Sequence, residues 1–178
     1  MEQEPVSIDE SIPTASPRAL LSALQASYAQ ALGSLERGTE GDADRAAYMR
    51  AVERWAAAAS REYRTKIVWH VQILNANPTR RGLDVELQAV DPKTNTKLGH
   101  PFVVALQRSA ARRLEQLQVR SGSDVLVLSG TLHPRVVHNP QRGAVKGGFD
   151  RPGFIGPYAE LRLTVDGTTL LPPTDEDS

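Results

Sequence analysis

The chain has 178 residues, 40% of them hydrophobic and 24% charged, which is enough for one ordinary packed domain with extensions. The absence of cysteine excludes disulfides, thiolate metal sites and a cysteine nucleophile. The formal charge is zero, but setting aside Glu2, Glu4, Asp9, Glu10, Asp175, Glu176 and Asp177 at the two ends leaves residues 16–171 at +7. A basic body between acidic ends suits an anionic partner, although acidic ends also serve solubility alone. No apolar run approaches the roughly 20 residues that span a bilayer. Residues 1–13 lack the basic and apolar segments of a signal peptide, so a cytoplasmic protein without membrane association is expected.

Residues 1–15 mix acids, Ser and Pro without periodicity and are expected to form a disordered acidic tail. Ser16-Pro17 is a helix start, with Ser as N-cap and Pro at the first helical position. Leu20, Leu21, Leu24, Tyr28, Ala31, Leu32 and Leu35 follow at helical spacing until Gly38 and Gly41. Asp42 or Asp44 then caps a second helix, with Val52, Trp55, Ala56, Ala59 and Tyr63 on one face. Residues 16–63 are thus a helical hairpin, whose apolar stripe requires cover from the next domain or from a partner.

After Arg64 the period changes to two. Ile67, Trp69, Val71 and Ile73 define a first strand, and Asn75 to Gly82 a turn. Leu83, Val85, Leu87 and Ala89 alternate with Asp84, Glu86 and Gln88 in a second strand. Phe102, Val104 and Leu106 mark a third. Ser109 caps a short helix to Gln118, with Leu114 and Leu117 facing inward. The fourth strand, Val125 to Val137, opens on a continuous apolar run and is interrupted by Gly130, where a bend or a close backbone approach is expected. A loop rich in Gly and Pro runs from Asn139 to Pro157. Tyr158, Leu161, Leu163 and Val165 form a fifth strand, Asp166-Gly167 a tight turn, and residues 168–171 a short return strand. Residues 172–178 form a second acidic tail.

Three strands, a short helix and two further strands over residues 64–171 resemble the oligonucleotide/oligosaccharide-binding (OB) fold, a five-stranded partly open barrel. The most specific piece is Leu114 to Leu132: a helix, a glycine-containing turn with Asp124, and a strand through Ser129-Gly130-Thr131. It resembles the corresponding part of bacterial single-stranded DNA-binding and anticodon-binding-like OB domains. The expected architecture is mainly β with α: a five-stranded OB-fold barrel with its helix between strands three and four, preceded by the hairpin.

Such barrels bind through the loops joining strands one to two and four to five, and through the outer face of strands two and three. Here loop 1–2 carries Arg80 and Arg81. Loop 4–5 and its flanking strand ends carry Arg135, His138, Arg142, Lys146 and Arg151, with the aromatics Phe149, Phe154 and Tyr158. Bases follow phosphates and aromatics stack on nucleobases, so these ten residues are the candidate nucleic-acid site. Long loops equally fold their aromatics back over a barrel end. The sheet face itself, with Asp84, Glu86 and Gln88 on strand two and Glu160, Arg162 and Thr164 on strand five, offers no outward aromatic. Arg108, Arg112, Arg113 and Arg120 form a second basic group on and beside the short helix.

No phosphate-binding loop, nucleophile elbow or paired-carboxylate pattern is present, and His133 and His138 lack an acidic third ligand. The reading is therefore a non-catalytic module with no cofactor and no metal, whose partner is single-stranded or structured nucleic acid. The alternative is a protein–protein interaction or self-association module using the hairpin and the polar sheet face.

Overall fold

The computed structural model describes residues 8–36, 41–140 and 154–174. Among these residues the elements run α1 (Pro17–Glu36), α2 (Asp42–Glu62), β1 (Thr65–Pro78), β2 (Gly82–Ala89), β3 (Phe102–Gln107), α3 (Arg108–Gln116), β4 (Val125–His138), β5 (Phe154–Gly156) and β6 (Ala159–Leu171).

Strict alternation places Ile67, Trp69, Val71 and Ile73 of β1, Val85 and Leu87 of β2, and Phe102, Val104 and Leu106 of β3 on one buried face. β1 pairs antiparallel with β2 on one side and with β4 on the other. The described strands form one sheet in the order β3-β2-β1-β4-β6-β5. Its end strand β3 comes against β6 without a ladder between them, so the sheet curls into a partly open barrel with a seam at β3–β6. Strand order and seam make it an OB-like barrel.

The sheet has six strands rather than five. The extra one, β5, lies within residues expected to form a loop, where Phe154 and Gly156 pair with Glu160 and Ala159. Asp166-Gly167 is not a hairpin turn either. β6 continues through it, and the ladder with β4 shifts register between Ser129 and Thr131. That bulge is why Gly130 is a glycine: a Cβ there would lie 2.6 Å from Val165 Cγ1 and 2.8 Å from the Asp166 carbonyl oxygen.

α1 starts as expected, with the Ala19 N–H donating to Ser16 Oγ at 3.0 Å. Leu20, Leu24, Tyr28 and Leu32 are buried, whereas Leu35 is exposed. α2 is preceded by Gly41 with no side-chain cap; Asp42 and Asp44 instead lie in its first turn, where they complement the helix dipole. Its buried stripe is Tyr48, Val52, Ala56 and Ala59. These residues belong to the same hydrophobic core as the barrel strands, so the hairpin's apolar face is covered by this chain. A hydroxyl fastens the two parts: the Val136 N–H donates to Ser60 Oγ at 2.9 Å, and Ser60 donates on to the Ala56 carbonyl.

Three further expectations are corrected. Residues 8–15, whose composition implies a disordered tail, are ordered, with turns from residue 10. Ile8 packs on the core, the Trp69 indole N–H donates to the Thr14 carbonyl at 2.9 Å, and Arg18 forks onto Glu10. A buried indole needs an acceptor, and this segment supplies it. α3 begins at Arg108 rather than after Ser109, and buries Ala111 with Leu114 while Leu117 is exposed. Gln88 does not face solvent: the β2–β3 connection covers it, and its amide donates to the Gly99 carbonyl at 2.9 Å.

Candidate nucleic-acid interface

The β1–β2 connection is held from both sides. The Thr79 N–H donates to the Gly82 carbonyl at 2.9 Å, and the Gly82 N–H to Thr79 Oγ1 at 3.1 Å. A Cβ on Gly82 would meet the Leu106 carbonyl oxygen at 1.9 Å, so only glycine lets β2 start this close to β3. From α3, the Arg108 guanidinium donates to the Arg80 carbonyl at 2.9 Å. Arg80 and Arg81 are therefore exposed on a braced turn.

That turn borders a hollow of about 830 Å³ along the β3–β6 seam. Arg80, Arg81 and Asp84 line it from the β1–β2 side, Val103, Ala105 and Gln107 from β3, Arg113 from α3, and residues 163–169 from β6. An adjoining hollow of about 370 Å³ shares Thr79 and Arg80 and adds Arg108, Arg112 and Glu115. The turn and α3 thus gather five arginines at one end of the seam. Among the described residues, Arg80, Arg81, Arg112 and Arg113 form no ion pair. No aromatic lines the larger hollow. The chemistry on offer is therefore phosphate binding by planar guanidinium groups rather than base stacking.

The remaining candidates lie elsewhere. Along the β1–β4 ladder Thr65 pairs with Leu132 and Gln72 with Val125, so β1 runs on toward the Arg80 turn while β4 runs on toward His138 in the opposite direction. The described ends of β1 and β4 therefore leave the sheet in opposite directions. Arg135 lines a hollow of about 510 Å³ with Arg61, Arg64 and His133. His138 is half-buried, and its Nε2 is buried without a partner among the described residues. Tyr158 is half-buried and packs edge-on against Tyr48 of α2, ring centroids 5.7 Å apart, so it supports the core instead of presenting a stacking face. Phe154 is exposed on β5, and its carbonyl accepts from the Gln25 amide at 3.0 Å. Arg142, Lys146, Phe149 and Arg151 lie outside the described residues.

The basic face of α3 is legible in the sequence, but its place beside Arg80 is not, and neither is the gathering of Arg61 and Arg64 with Arg135. The only signal for Arg61 and Arg64 was their position at and just beyond the end of α2, where basic residues ordinarily complement the helix dipole. His133 Nε2 pairs with Asp166 at 2.9 Å and not with His138. Among the described residues no group of three or more metal-ligating side chains is gathered, and no helix is long and apolar enough to cross a membrane.

These features define a chain with an OB-like barrel and an arginine-lined seam. No protein-family model matches it, and no curated protein matches. Among solved structures, it is similar to the mitochondrial single-stranded DNA-binding protein Rim1 of S. cerevisiae, with 13% identity and a TM-score of 0.36 over 63% of this chain and 99% of that one. The OB-like topology stands on strand order and seam, independently of that likeness.

Proposed function

We propose that the chain is a non-catalytic nucleic-acid-binding module that takes a single strand along the β3–β6 seam. The observation that carries this is the cluster of Arg80, Arg81, Arg108, Arg112 and Arg113 around two adjoining hollows, facing only Asp84, Glu115 and Asp166. The grip is electrostatic and largely sequence-independent, since no aromatic lines the groove to hold a base. The protein-docking alternative loses its main support, because the hairpin stripe that was to meet a partner is buried in the core.

The test is fluorescence anisotropy of a labelled oligothymidylate titrated at several salt concentrations. Binding is expected to be strongest at low salt, with log K falling by about 0.7 per decade of salt for each phosphate contacted. Arg80→Glu/Arg81→Glu should weaken it and flatten the salt dependence. Absence of binding by the unaltered chain at low salt, or full affinity in the double variant, would refute the proposal.

A further inference from the structure

We infer that the helical hairpin supplies a second phosphate-binding subsite, formed by Arg61, Arg64 and Arg135, onto which a strand leaving the seam groove continues. This rests on the nucleic-acid reading above and extends it to an element outside the barrel. The three arginines come from three segments: the last turn of α2, the α2–β1 connection, and β4. They line one hollow of about 510 Å³, and none of them forms an ion pair among the described residues. The one carboxylate in that hollow, Asp166, is engaged by His133 Nε2 at 2.9 Å.

Three exposed guanidinium groups beside one hollow make a locally positive potential that favours an anion there. The α2 dipole accounts for Arg61, which lies in the helix's last turn, but not for Arg64 or Arg135, which lie off the helix. Their positions are tied together, because Ser60 bonds the end of α2 to β4 at Val136.

The hollow adjoins the seam groove. Thr164 and Asp166, on one face of β6, line both. A polyanion lying along the seam therefore meets Arg61, Arg64 and Arg135 next. Exposed guanidiniums grip a single free phosphate weakly. A phosphodiester chain already held at Arg80 and Arg81 brings its next phosphates to the hollow at high effective concentration. The occupant is thus the backbone of the same strand.

The experiment uses the full chain, labelled oligothymidylates of graded length, and two charge reversals compared at several salt concentrations. Arg61→Glu/Arg64→Glu should leave short oligonucleotides bound as before. It should weaken long ones and reduce their salt slope by about 1.4, at about 0.7 for each lost contact. Arg45→Glu/Arg50→Glu makes the same charge change on the exposed side of α2, away from the hollow, and should leave slope and length dependence unchanged. Arg135→Glu, which enters the hollow from β4, should reproduce the loss and serves if the α2 variant does not fold.

The subsite is refuted if long oligonucleotides bind the Arg61→Glu/Arg64→Glu and Arg135→Glu variants with unchanged slope while Arg80→Glu/Arg81→Glu weakens them. It is equally refuted if the Arg45→Glu/Arg50→Glu control loses as much. The first outcome leaves the seam reading intact; failure of the unaltered chain to bind removes both.

Discussion

Leu24→Ala tests whether the hairpin and the barrel unfold as one body. Leu24 lies on α1, is fully buried and belongs to the core shared with the barrel strands. Removing it deletes three carbons and leaves a cavity that close packing closes only in part, at a cost of about 2–5 kcal/mol. With a urea slope of about 2–3 kcal/mol per molar for a domain of this size, the midpoint should fall by roughly 1–2 M. The two tryptophans report the two parts separately. Trp55 is in α2, its indole donating to Ser27 of α1, and Trp69 is buried in β1. Urea titrations of Leu24→Ala in Trp55→Phe and Trp69→Phe backgrounds, each compared with its own background, should show equal midpoint shifts. A shift seen by Trp55 while Trp69 keeps its midpoint would show that the hairpin folds apart from the barrel, and the shared-core reasoning would fail.

Two other outcomes follow from packing and ionisation. Gly130→Ala places a methyl against Val165 and the Asp166 carbonyl and should cost about 1–3 kcal/mol; an unchanged denaturation midpoint would mean that the bulge relaxes freely. Burial raises the Tyr28, Tyr48 and Tyr63 hydroxyls above the ordinary tyrosine value, and Tyr28 and Tyr48 are hydrogen-bonded to each other. The folded state therefore keeps protons that the unfolded chain loses near pH 10, so this contribution is full below about pH 10 and falls as pH rises further. Urea midpoints between about pH 8 and pH 11 should decline, and by less in Tyr28→Phe; a flat profile would contradict it.

Local signals carried most of the barrel. Alternation alone placed β1, β2 and β3, Ser16-Pro17 placed the start of α1, and Gly130 marked the bend. The misreadings came from interactions with distant residues. Asp166-Gly167 has turn chemistry, but its backbone is held in β6 by the ladder with β4, where Gly167 and Thr168 bulge opposite Gly130, more than thirty residues earlier. Residues 8–15 look too polar to order, and what orders them is an indole on β1 that needs an acceptor. Ala111 is too small to stand out in a hydrophobic pattern, yet it is buried while Leu117, beyond the end of α3, is exposed. The candidate site divided the same way. Arg80 and Arg81 were legible from their place in a loop. Their gathering with Arg113, and that of Arg135 with Arg61 and Arg64, depends on how the sheet curls.

The shared core also has a consequence for the order of events on the ribosome. α2 ends at Glu62, whereas β4, which covers its apolar stripe, begins at Val125, and β5, which meets α1, begins at Phe154. At about 5–20 residues per second, some 60 to 90 further residues take several seconds to be made. Throughout that interval Tyr48, Val52 and their neighbours on α2 lack the β4 strand that covers them in the finished fold. The nascent hairpin is thus an amphipathic pair awaiting part of its cover, and slower translation lengthens the time its apolar stripe faces water.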